Sequence, residues 1–149
     1  MGIKISNVLV AIDGSENSIR AANYAIELST KFKAELAVLT ILDVSLKHFT
    51  STFLTAPTYG KDVDKEKIRA NKHHETIKLI GKESGISVRS EIISSSISPV
   101  GTIIDYIENN NIDLVIVGSR GLGGFKKLVL GSVASGLMSY SKCPVLVVK

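Results

Sequence analysis

Val8-Leu9-Val10-Ala11-Ile12-Asp13-Gly14-Ser15 places five apolar residues in succession and follows them with a polar turn. A continuous apolar run of this length suits a strand buried on both faces, whereas a half-exposed strand would alternate. Ser15 is then the candidate N-cap of a helix. Ile19, Ala22 and Ile26, with Ala21, Ala25, Leu28 and Phe32, recur at helical spacing and form its broad apolar face. Strand, tight exit and amphipathic helix make the opening of a βαβ unit.

The same unit recurs along the chain. Leu36 to Leu42 is a second buried strand, followed by a polar connection from Ser45 to about Gly60 that contains Pro57 and is the only long loop expected. From Asp62 to about Lys82 the residues are charged, with Val63, Ala70 and Ile77 seven apart and Ile80 on the same side, as in an exposed helix with one apolar stripe. Ile86 to Ile92 roughly alternates, which suits an edge strand. Ser98-Pro99 supplies an N-cap and a proline at the first helical position, Val100, Ile103, Ile104 and Ile107 the apolar face of a third helix, and Asn109 to Asn111 its end. Leu114-Val115-Ile116-Val117 runs straight into Gly118. A short helix from about Ser132 to Tyr140 then leads to the strand Val145 to Val148. The alternation βαβαβαβαβ, with no internal repeat, predicts one α/β domain over residues 1–149, with a mostly parallel sheet and helices on both faces.

Composition agrees. A chain of 149 residues with 44% hydrophobic and 21% charged residues can bury a real core and has no segment of disordered character. No apolar run approaches the roughly 18 residues of a membrane span, and Met1 to Lys4 lacks the apolar stretch of a signal peptide, so a soluble cytoplasmic protein is expected. The single cysteine, Cys143, excludes an intramolecular disulfide and is expected as a buried packing residue ahead of Pro144. A net charge of +4 permits an anionic partner, but four Tyr, four Phe and no Trp offer few platforms for stacking single-stranded nucleic acid.

Ligands of open parallel sheets bind beyond the carboxyl ends of the strands, where strand order reverses. Two strand exits here are chemically unusual: Asp13-Gly14-Ser15, and Gly118-Ser119-Arg120-Gly121-Leu122-Gly123-Gly124. If their strands are neighbours, the exits face each other. Glycines allow close backbone approach, and amides at a helix start point at an anion, so a loop closing on Gly131-Ser132 has the parts of a phosphate cradle. The same glycines could instead serve only tight turns and packing. Neither Gly-x-x-x-x-Gly-Lys-Ser/Thr nor Gly-x-Gly-x-x-Gly after the first strand is present, which disfavours a P-loop enzyme or a nicotinamide or flavin dehydrogenase.

Gly118-x2-Gly121-x9-Gly131-Ser132 resembles the ATP-binding signature of the universal stress protein family. The opening Val10 to Glu16 and the closing Cys143 to Val148 resemble that family's first and last strands, so the resemblance spans essentially the whole chain. It implies a Rossmann-like, adenine nucleotide alpha hydrolase-like domain: five parallel strands in order 3-2-1-4-5, with ATP, or AMP or ADP, at the switch point. It further implies a homodimer through Val145 to Val148, and Mg²⁺ or Mn²⁺ carried by the phosphates. By position, Asp13 would contact the nucleoside, the Ile41 backbone the adenine edge and Gly118 the ribose. Gly121, Gly131, Ser132 and the Val133 amide would hold phosphates.

Each residue also has a plainer role. Asp13 equally suits a cap on its own turn. Arg120, Lys126 and Lys127 could neutralise phosphates or merely be solvated. Ser132 could be both helix N-cap and phosphate donor, but no histidine lies near it in sequence to make it a nucleophile. Of His48, His73 and His74, the adjacent pair point about 100° apart on a helix and cannot readily share a metal. Three functions compete: a nucleotide-dependent regulatory protein with an unidentified protein partner, a slow ATPase or phosphotransferase using Asp13, Asp43 or Ser132, and a scaffold or nucleic-acid binder using basic surface. The complete glycine motif without evident catalytic apparatus favours the first.

Overall fold

A computed structural model of the chain describes residues 2–44, 56–121 and 129–149. His48, Lys126, Lys127 and the centre of the glycine loop lie outside them. Nine elements follow in order: β1 Asn7–Ala11, α1 Glu16–Phe32, β2 Glu35–Asp43, α2 Ala56–Glu83, β3 Val88–Ser95, α3 Pro99–Asn109, β4 Leu114–Gly118, α4 Ser132–Tyr140 and β5 Val145–Val148. The five strands form one parallel sheet in the order β3-β2-β1-β4-β5. β1 therefore sits at the centre, as its unbroken apolar run requires.

Alternate residues of the central strands feed two separate cores. Val8 and Val10 of β1 join Leu36, Val38 and Ile116 against Ala22, Ala25 and Ile26 of α1 and Ile77 of α2. Leu9 and Ala11 join Leu39, Val115 and Val117 against Ile103, Tyr106 and Ile107 of α3 and Leu137 of α4. Helices thus cover both faces, α1 and α2 on one and α3 and α4 on the other.

Several boundaries differ from expectation. α2 begins at Ala56 rather than Asp62, so the connection after β2 gives up its last residues to the helix; Pro57 is tolerated there because a first-turn residue needs no N–H partner. β3 covers Val88–Ser95 instead of Ile86 to Ile92. Its extent is set by pairing with the nine-residue β2, in register from Leu36↔Val88 to Asp43↔Ser95, and not by its own alternation, which breaks at Ile92-Ile93. It is an edge strand, as expected. Cys143 is half-buried, not buried, because it leads into the other edge strand, whose Val145, Leu146 and Val147 are themselves only partly covered.

Candidate functional site

β1 and β4 pair from Val8↔Leu114 to Ala11↔Val117, so the two unusual exits do face each other. Side chains tie them together: Ser15 Oγ donates to the Arg120 carbonyl at 3.4 Å, and Asn17 Nδ2 to Ser119 Oγ at 3.2 Å. Gly118 makes the junction possible. A Cβ on it would lie 2.9 Å from the carbonyl carbon of Asn17 and 3.0 Å from the Ser18 nitrogen, so any side chain would push the start of α1 off the end of β4. Gly14, with φ of +84°, turns the chain from β1 into α1 through the left-handed region.

Between these exits opens a cavity of about 660 Å³. Every residue proposed from sequence that falls among the described residues lines it; Lys126 and Lys127 lie outside them. Asp13 comes from the β1 exit and Ile41 from the end of β2; Gly118, Arg120 and Gly121 come from the β4 exit. Gly131, Ser132 and Val133 come from the start of α4. Asp43 lines it too, so the three candidate catalytic groups, Asp13, Asp43 and Ser132, share one space. Sequence reasoning missed the apolar walls, formed by Leu39, Pro99, Ile103 and Val117. Their spacing marks Leu39, Ile103 and Val117 as core, and nothing in it distinguishes a core face from the wall of a pocket.

Asp13 fills its plainer role directly, since its Oδ1 accepts the Ser15 amide at 2.9 Å in a local turn. The carboxylate is nevertheless exposed at the cavity, and its Oδ2 occupies the space into which a side chain at Gly121 would project. Gly131 is more mildly constrained: its N–H donates to the Ser119 carbonyl at 2.7 Å, and a Cβ would lie 3.2 Å from that oxygen, a tight contact. Gly131, not Ser132, is the N-cap of α4, and it makes no side-chain cap bond. The Gly131–Ser119 backbone bond draws the helix start against the β4 exit and so places Ser132 inside the first turn. The first intrahelical bond runs from Ser135 N to Gly131 O, so the amides of Ser132, Val133 and Ala134 precede the ladder, where amides point out of the helix end.

Beneath this site lies a histidine that sequence reasoning weighed only as a metal ligand. His74 is 2% exposed, in helical register with Ala70 and Ile77 on the buried stripe of α2. Its Nε2 is 2.8 Å from Thr40 Oγ1, and that hydroxyl donates to the Ile12 carbonyl at 3.0 Å. Burial, aided by the positive charge of Lys78 and by His73, pushes the imidazole pKa down to about 4 against the opposing pull of Glu75. The 70-74-77 spacing was the available signal. His73 turns elsewhere, its Nε2 lying beside Gly14. Among the described residues no group of three His, Cys, Asp or Glu is placed to hold a metal ion, and no helix is long and apolar enough to cross a membrane.

Residues 4–149 match the universal stress protein family. Universal stress protein YxiE of Bacillus subtilis is 32% identical over 148 residues, covering 97% of this chain and 99% of the relative. Universal stress protein UspA from Lactobacillus plantarum superposes with a TM-score of 0.86 at 24% identity, over 99% of this chain and all of that one. An Arabidopsis thaliana family member solved with AMP bound has a TM-score of 0.67 at 18% identity, covering 97% of this chain and 91% of its own. Other family structures hold cAMP and dAMP. At identities below 25% these likenesses establish the shared fold.

Proposed function

The chain belongs to the universal stress protein family, and from that premise we propose that it binds an adenosine nucleotide in the cavity between β1 and β4 and acts as a cytoplasmic, nucleotide-dependent regulatory protein of the stress response. The observation that carries this reading is the convergence of Asp13, Ile41, the three spaced glycines and the start of α4 on one space. The lining of the cavity includes apolar Leu39, Ile41 and Ile103, suited to a base, and the start of α4 at Gly131 to Val133, whose backbone amides suit phosphates.

In this arrangement the Ile41 backbone meets the adenine edge, Asp13 accepts from the nucleoside and Gly118 borders the ribose. Gly121, Gly131, Ser132 and the Val133 amide hold the phosphates, with Arg120 at their rim. Any Mg²⁺ or Mn²⁺ would be held through those phosphates. The AMP, cAMP and dAMP complexes of relatives share adenine on a phosphorylated sugar and differ in the sugar or the phosphate linkage, which supports recognition of the base first. The ligand here is ATP or its AMP or ADP products. Its state governs recognition of a protein partner, and β5 at the sheet edge provides the homodimer contact.

Calorimetry on nucleotide-free protein tests the reading: ATP and AMP should bind, and no heat at millimolar nucleotide would overturn it. The shared placement of Asp13, Asp43 and Ser132 favours slow hydrolysis as a second reading. Phosphoryl transfer needs groups that position a cation and a nucleophile, and two carboxylates and a hydroxyl are among the polar side chains lining the cavity. If it operates, phosphate release should stop in Asp13→Ala; full activity in that variant would exclude it.

A further inference from the structure

The network under the cavity has a consequence for the site above it. β1 pairs with its neighbours only as far as Ala11, so the Ile12 carbonyl lies one residue past the paired segment, immediately before Asp13. The Thr40 hydroxyl accepts the task of satisfying that carbonyl. With the hydroxyl proton directed at Ile12, its oxygen is left to accept from His74, an arrangement that calls for a proton on Nε2. Thr40 and Ile41 are adjacent on β2 and face opposite sides of the sheet, Thr40 toward α2 and Ile41 into the cavity. The chain His74–Thr40–Ile12 therefore joins α2 to the two strand ends that carry Ile41 and Asp13.

We propose that His74 is a positioning residue for the nucleotide: through the Thr40 hydroxyl it holds the β1 exit and the end of β2 in the spacing that adenosine needs. The proposal rests on reading the cavity as a nucleotide site. A buried polar group holds its partners to one geometry because any other leaves a desolvated donor or acceptor unpaired. An apolar side chain at 74 could fill the volume but not direct the hydroxyl.

The test compares His74→Leu, His74→Gln and Thr40→Val with the unaltered protein, by ATP calorimetry and by amide hydrogen exchange without nucleotide. His74→Leu and Thr40→Val should each weaken ATP binding about tenfold or more. Both should also speed exchange of the Ile12 and Asp13 amides, which now bond to Leu39 O and Ser18 Oγ. The double variant should bind no more weakly than either single one. His74→Gln, whose amide nitrogen can donate to the same hydroxyl, should restore both readouts, which a merely space-filling role would not do. Nitrogen-15 spectra of the unaltered protein should report His74 protonated on Nε2. Unchanged affinity and exchange in Leu and Val variants, failure of Gln to rescue, or the opposite tautomer would each overturn the proposal. If the unaltered protein binds no ATP, the nucleotide reading falls, while the exchange data still decide whether His74 holds the β1 exit.

Discussion

Ser29 stands on the inner face of α1, fully buried, with a hydroxyl that has no hydrogen-bond partner among the described residues. Such a group costs desolvation without recompense, so Ser29→Ala should stabilise the protein by about 1 kcal/mol, seen as a raised midpoint in thermal or urea unfolding. His74 predicts a pH dependence. Its folded pKa, about 4, lies below the unfolded value of 6.5, so the unfolded chain binds the extra proton between those limits. Its contribution is fully present above pH 6.5 and is lost as pH falls toward 4, by on the order of 3 kcal/mol. Unfolding curves across this range should flatten in His74→Gln. Gly131→Val should abolish nucleotide binding, and the structure changes the reason. Beyond crowding the ligand, the side chain would press on the Ser119 carbonyl that ties the start of α4 to the β4 exit. Asp13, Gly118 and Gly121 were legible as candidates because they follow buried strands, and Gly131 because it precedes a helix start. That Gly118 is also demanded by the start of α1 was not legible, since Asn17 and Ser18 are distant in sequence.

At the scale of elements, α4 reaches the cavity only because it packs closely on α3. A Cβ on Gly136 would lie 2.6 and 2.8 Å from the two methyl carbons of Val100 and 3.2 Å from its Cβ. Gly→Ala on an open helix face should stabilise by about 1 kcal/mol, but Gly136→Ala is expected to destabilise by roughly 1–3 kcal/mol and to weaken ATP binding by displacing the helix start. Denaturant midpoints together with calorimetry check both effects. Ser98 caps α3, its Oγ accepting the Gly101 amide at 3.1 Å, and Ser98→Ala should cost about 1 kcal/mol in unfolding free energy. The caps at Ser15 and Ser98 were readable because a capping side chain acts within three residues of itself. The cap of α4 was misplaced by one residue because a long-range bond to Ser119 decides it. β3 was misplaced by two at its start because its partner strand sets its length.

For the molecule as a whole, β3 and β5 are the two sheet edges, and Val145, Leu146 and Val147 of β5 are only half-covered. Light scattering should give twice the chain mass if β5 forms the expected homodimer, and a monomer at all concentrations would reject it. The alternation of strand and helix was determined by the sequence alone, because buried strands need unbroken apolar runs and amphipathic helices need a 3.6-residue period, both local patterns. So was the pair of loops that bear the glycines and Asp13. The adjacency of β1 and β4, which turns those loops into opposite walls of one cavity, was decided by tertiary structure. So were the apolar walls from Leu39 and Ile103 and the burial of His74 against Thr40. These depend on which faces meet after the chain has crossed over, and residues as far apart as 13 and 121 carry no mark of each other until the sheet brings them together.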